Sequence, residues 1–222
     1  MPKRKPNKKY YFSVEGETEQ WYLKWLEKLI NSSTDAKYSV SFDVKIEKNP
    51  LKRVKALVVT GKTEIWHLSD YESDEPIHVQ QFQDTMDRLK ASKGLGKNIT
   101  YYFGYSNLTF DLWIILHKSD CNTSLAHRKN YISYMNRAYN EHFDNMDEYK
   151  HEANFCRCLS KITLTDVQTA IYRAKSIMQR NAENGLRQIE YKGYRYYREN
   201  PSLEIWKPIE NILKDCGLLD TL

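Results

Sequence analysis

The sequence predicts an α/β fold, with a central, largely parallel sheet of about four strands flanked by helices and a helical extension at the C-terminal end. Three observations carry this. Apolar runs rich in aromatic and β-branched residues recur at 10–14, 38–46, 63–68 and 99–105, separated by stretches of helical periodicity, and strands that alternate with helices pair in parallel. After about residue 120 the strand signals fade while helical ones continue. The length of 222 residues, with 41% hydrophobic and 28% charged residues, suits one large core rather than two independent ones or a disordered chain.

The elements follow in order. Residues 1–9 form a basic leader with Lys3, Arg4, Lys5, Lys8 and Lys9. The strand at 10–14 ends in Glu15-Gly16, a turn signal, and 17–31 carries Trp21, Tyr22, Trp25, Leu26, Leu29 and Ile30 at the spacing of one helical face. Val40, Phe42, Val44 and Ile46 alternate with polar residues, the period of a half-buried strand. Pro50 opens a short helix to about Val59, since proline suits the first helical turn. The strand at 63–68 delivers its end to the acidic stretch Asp70-Tyr71-Glu72-Ser73-Asp74-Glu75, and 79–90 reads as a helix closed by Gly94 and Gly96. After the strand at 99–105, Asn107 is a candidate N-cap for a buried helix at 110–116. Helices are then expected at 126–142, 147–159, 165–182 and 202–216, the third capped by Thr165 or Asp166. A basic aromatic loop, 191–198, lies between the last two. The resulting organisation is a leader at 1–9, an α/β core at 10–118 and a mainly helical extension at 119–222 packed on it.

Composition excludes several classes. No stretch approaches the roughly 20 apolar residues that span a bilayer, and no apolar segment follows the basic leader as in an export signal; the chain reads as cytoplasmic. Cys156 and Cys158 are separated by one residue rather than the two or more of zinc hairpins, and Cys121 and Cys216 lie far away. No phosphate-cradling Walker motif is present, so any linked ATP hydrolysis belongs to a separate ATPase partner. The net charge of +5 permits a polyanionic partner. Cations gather at Lys45, Lys48, Lys52, Arg53 and Lys55 and again at Arg187, Lys192, Arg195 and Arg198, while acids gather at Glu15–Glu19 and around Asp70.

The acids stand where an α/β sheet binds ligands, beyond the carboxyl ends of its strands. Glu15 ends the first strand, Glu19 lies one turn into the next helix, and Asp70 and Glu72 end the third strand. Alternate residues at a strand end can point the same way, and paired carboxylates suit a hard cation such as Mg2+. The plainer reading is that Glu17 and Glu19 favour a helix N-terminus and that the second cluster is a solvated loop.

Three motifs bear on that choice. Glu15-Gly16-Glu17-Thr18-Glu19 after a hydrophobic strand resembles the E-G-x-T-E opening of Toprim domains, especially those of the RloB-like group associated with bacterial antiphage loci. The segment from Ser106 to His117 resembles that group's S-N-P-x-F-E-L-W-x-L-x-H, and Asn200-Pro201-Ser202 its N-P-S-T ending. The resemblance implies a Toprim-like core and a Mg2+ or Mn2+ site that cuts phosphodiester bonds. On that reading Asp70 and Glu72 bind metal, Glu15 binds metal or acts as general base, and Glu19 and Asp111 complete a second metal position. Departures are Asp70-Tyr71-Glu72 in place of Asp-x-Asp, Asp111 in place of glutamate and Leu108 in place of proline.

Two further groups remain open in the sequence. His117 suits either donation to a phosphate or capping of helix carbonyls. Tyr194 and Tyr196 with Lys192, Arg195 and Arg198 suit base stacking with phosphate neutralisation, or else a strand or hairpin whose tyrosines pack on the core. The leading expectation is a divalent-metal-dependent nuclease acting on DNA or RNA, a phage-defence effector. The competing one is a non-catalytic nucleic-acid-binding module with a degenerate acidic cleft, and nucleotidyl transfer at the same site is a third.

Overall fold

The computed structural model of the chain describes residues 5–219; Lys3 and Arg4 of the basic leader lie outside them. In order, the described elements are β1 (Asn7–Val14), α1 (Glu17–Ser32), β2 (Ser39–Ile46), α2 (Pro50–Ala56), β3 (Thr63–Tyr71), α3 (Pro76–Ser92), β4 (Ile99–Asn107), α4 (Asp111–Leu116), α5 (Tyr131–Tyr139), α6 (Met146–Tyr149), α7 (Glu152–Ser160), α8 (Leu164–Glu183), β5 (Ile189–Tyr191), β6 (Tyr194–Tyr196) and α9 (Trp206–Asp215). Four strands form one sheet in the order β2-β1-β3-β4, parallel throughout. The expected α/β class and parallel four-stranded sheet are thus what the chain forms. β1 begins three residues earlier than its apolar run, so Asn7, Lys8 and Lys9 pair with β2 instead of trailing as a leader.

The sheet is covered on both faces. One core joins Phe12 and Val14 of β1 and Leu68 of β3 to α1, α4 and the C-terminal helices, from Tyr22 and Trp113 to Ile171 and Leu213. The other packs Ile65 and Tyr71 of β3 and Phe103 and Tyr105 of β4 against Val54, Phe82, Met86 and Tyr196. Successive β3 residues therefore face opposite cores, which places Asp70, like Leu68, on the side of the helical half.

Several boundaries differ from the sequence reading, each for a local reason. The helix expected at 126–142 is a 3-10 turn at Arg128–Asn130 followed by α5, which Asn140 ends in the left-handed region. The stretch expected at 147–159 is split into α6 and α7, with Asn145 capping the first through its bond from the Glu148 N–H. Thr163, not Thr165, caps α8 in a reciprocal capping box with Asp166. Asp166 also accepts from Lys118 Nζ at 2.7 Å, tying the start of α8 to the end of α4. The last helix starts at Trp206 because the preceding segment is used elsewhere: the Glu204 N–H donates to the Tyr105 carbonyl and Leu203 bridges to Ser106, covering the outer edge of β4. At the opposite edge, α1 side chains serve β2. Asn31 bonds both the N–H and the carbonyl of Val40, Glu27 accepts from the Phe42 N–H, and Gln20 donates to the Val44 carbonyl.

Asn107 is not an N-cap. Its side-chain amide donates to the carbonyls of Tyr197, Arg198 and Glu199 at 3.2, 2.7 and 3.2 Å, and its N–H donates to the Ser202 carbonyl. The second and third motifs, far apart in sequence, thus meet in space. Leu108 then turns the chain at a φ of 60°, a conformation closed to the proline that the resembled motif carries there. Asn107→Ala leaves buried carbonyls unpartnered, a cost of about 1–3 kcal/mol, so its melting temperature is expected to fall by roughly 2–4 °C per kcal/mol. An unchanged melting curve would show that this junction does not hold the fold.

Candidate functional site

The sheet order places β1 beside both β2 and β3, so the strand order is built outward in opposite directions on either side of the β1–β3 pair, and the crevice beyond their carboxyl ends is the switch point where ligands collect in such sheets. Glu15 leaves β1 there. Its carboxylate accepts from Ser69 Oγ at 2.9 Å and from the Asp70 N–H at 3.2 Å, which fixes it across the mouth of β3. Glu19 arrives from α1 for a reason legible in helix geometry: with Tyr22, Leu23 and Leu26 it occupies the buried face of the helix, at the i, i+3, i+4, i+7 spacing of one stripe. Asp111 opens α4 with no exposed surface. Its Oδ2 accepts from Thr109 Oγ1 at 2.7 Å.

Burial and mutual repulsion set the charge state. Asp70 is held well above the ordinary carboxylate range by burial first, then by Glu19 and Glu15, with Lys150 pulling the other way and Asp111 adding to the rise. Burial also raises Glu19, with Glu15 adding to it, and raises Glu15 despite the bonds from Ser69 and the Asp70 amide. Gly16 keeps this turn open: a Cβ there would stand 3.2 Å from Glu19 Oε2.

Lys150 is the functional candidate that sequence reasoning missed. Its Nζ lies 3.1 Å from Asp111 Oδ2. Burial disfavours its charge, but Asp111, Asp70 and Glu19 outweigh that and raise the ammonium above its ordinary value. The turn that carries it is anchored by the neighbouring Tyr149, fully buried between Phe143 and Phe155. Nothing marks Lys150 among the 34 Lys and Arg residues of the sequence; it is one residue between two short helices.

β3 runs on to Tyr71, and beyond it Glu72 lies 3.5 Å from His78 Nε2 and 3.6 Å from Arg128. It lines a cavity of 320 Å³ together with Glu15 and Asp70, as expected of the acids at these strand ends, and with Lys48, His78 and Arg88. His117 is buried; its Nδ1 faces the Trp113 carbonyl at 2.9 Å and its Nε2 the Tyr22 hydroxyl at 3.2 Å. Burial lowers it to about 4, so at neutral pH it is an uncharged helix-end cap with no path to a phosphate.

The basic aromatic loop is a hairpin. Lys192 and Gly193 turn it with φ of 53° and 87°, the pattern of a two-residue type I′ connection. Tyr196 is fully buried with its ring 5.0 Å from Phe82 and 5.6 Å from Tyr71, so it is core and not a stacking platform, whereas Tyr194 packs on Phe103 while partly exposed. Lys192, Arg195 and Arg198 remain outside, loosely paired with Asp87, Glu190 and Asp74.

As a donor set, Glu15, Glu19, Asp70 and Asp111 offer the oxygens a hard cation takes, and Asp111 Oδ1 is buried without a partner. As arranged, no group of three or more His, Cys, Asp or Glu among the described residues is close enough to hold a metal ion; the cation beside Asp111 is Lys150 itself. No helix among those residues is long and apolar enough to cross a membrane.

Fold and site together define a class: α/β proteins that gather carboxylates from separate elements at the switch point of a parallel sheet. Within it, the chain belongs to the RloB-like protein family, whose family model matches residues 10–212. No curated protein and no solved structure matches the chain.

A carboxyl whose folded pKa is raised stabilises the fold below its unfolded value, about 4, and loses that contribution as pH rises through the folded value. Glu15, Glu19 and Asp70 share this sign. In chelator, the melting temperature is therefore expected to fall from pH 4.5 to pH 7.5, and Asp70→Asn to melt at least about 2 °C above wild type at the higher pH only. Parallel curves for the two proteins would mean that Asp70 does not carry the repulsion.

Proposed function

We propose that this chain is a divalent-metal-dependent nuclease of the Toprim type, cutting phosphodiester bonds of DNA or RNA, with phage defence as its setting. The observation that carries the reading is the convergence of Glu15, Glu19, Asp70 and Asp111 from four elements on one crevice. Two buried acids, Glu19 and Asp111, and two half-buried ones, Glu15 and Asp70, are set together against their own repulsion, an arrangement with a purpose when a cation is to be bound. Mg2+ or Mn2+ held by Glu19, Asp70 and Asp111 would polarise a phosphodiester and stabilise the charge that develops on its oxygens.

The chain's own residues do the rest. Glu15, fixed by Ser69 and the Asp70 amide, is the acid best placed to take a proton from an attacking water, its raised pKa favouring that role. Lys48, Arg88 and Arg128 stand on the walls of the two cavities beside the cluster and would hold flanking phosphates. Arg195 on the hairpin and Arg198 just after it, both exposed, would add further phosphate contacts. A separate ATPase is the partner that would supply nucleotide hydrolysis.

The binding-module reading draws on one observation, that the carboxylates do not close into a metal group as arranged. One comparison separates the two. Wild type is expected to cleave nucleic acid with Mg2+ or Mn2+, and Asp70→Asn, at equal soluble yield, to lose at least about 100-fold of that activity. Arg195→Ala with Arg198→Ala is expected to flatten the salt dependence of binding by about one per lost phosphate contact. Binding with that salt slope but no cleavage under either metal would favour the module; equal activity in Asp70→Asn would remove Asp70 from the site.

A further inference from the structure

The helical half brings one cation to the acids of the α/β half, and its surroundings suit movement. Lys150 sits on the turn between α6 and α7, half-buried, its Nζ 3.1 Å from Asp111 Oδ2. Asp111 has no exposed surface, yet its Oδ1 is without a partner. One oxygen is thus satisfied by Thr109 and Lys150, while the other has beside it, among the described residues, only the buried Tyr149 hydroxyl, without a formed hydrogen bond. Lys150 also lines a cavity of 560 Å³ that contains Asp144 and Asp147. A four-carbon stem with rotatable bonds lets the ammonium turn from Asp111 toward these two carboxylates, which share the cavity with Arg128 and Lys129.

We propose that Lys150 is a tethered stand-in cation: its ammonium neutralises Asp111 while no divalent ion is bound and swings toward Asp144 and Asp147 when one binds. The helical extension then sets the metal affinity of the α/β site. This rests on the metal reading above. Because ammonium and metal compete for Asp111, their coupling is negative and reciprocal.

The test is a Mn2+ titration followed by electron paramagnetic resonance on wild type, Lys150→Gln and Lys150→Met, with melting curves in chelator and in Mg2+. Both variants are expected to bind Mn2+ more tightly, on the order of tenfold. They are also expected to melt lower than wild type in chelator and to gain more from Mg2+. Equal or weaker Mn2+ binding in the variants overturns the proposal while leaving the metal site standing. Failure of all three proteins to bind Mn2+ overturns the metal reading and this one with it. Should the variants not fold, amine acylation of wild type read by mass spectrometry decides: Lys150 is expected to gain reactivity when Mg2+ is added, and an unchanged rate overturns the stand-in role.

Discussion

Placing three carboxylates of one sign where water is scarce is the constraint on which the rest of this molecule turns. Glu19, Asp70 and Asp111 repel one another, and each is denied most of the solvent that would otherwise stabilise its charge. The surroundings answer with specific groups: Thr109 donates to Asp111, Ser69 and a strand amide restrain Glu15, and Lys150 brings an opposite charge. That last contribution requires the helical half to be docked, so the electrostatics of the α/β half and the packing of the extension are one problem. The hydrophobic cluster that runs from β1 to α9 without interruption holds the two halves in register.

The junction of motifs serves the same end. Asp111 can face the cluster only if the chain leaves β4 at the right angle, and that departure is set by Ser106, whose hydroxyl donates to the Thr109 carbonyl at 2.7 Å, and by Asn107, which gathers three carbonyls of the segment before Ser202. A residue pattern that looks catalytic in a linear reading is here divided. Asp111 goes to the site, whereas Ser106, Asn107 and His117 build the frame that aims it.

Much of this was legible in the sequence. Strand and helix periodicities locate the sheet and most helices; Glu15, Glu19, Asp70 and Glu72 stand out by their place around strand ends, and Asp111 by its resemblance to a known motif alone. What escaped is what periodicity does not encode. Lys150 is set by a turn between two short helices, and no spacing rule singles it out. Tyr196 was offered for base stacking because cations flank it in sequence, but alternation in a two-residue hairpin sends the ring inward and the charges outward. Thr163 was passed over as a cap because Thr165 lies nearer the first apolar residue; the reciprocal bond with Asp166 decides the start.

The two edges of the sheet bear on how this protein meets others. An uncovered parallel edge is a row of unmet donors and acceptors that invites another strand, which is how many α/β and β proteins dimerise or aggregate. Here the C-terminal strap occupies one edge and side chains of α1 answer successive outward-facing groups of the other. Strand addition is thereby opposed along β2 and at the carboxyl end of β4, so a partner that approaches beside the acids meets helical faces and loops, where contacts form and dissolve without rewriting the sheet beneath.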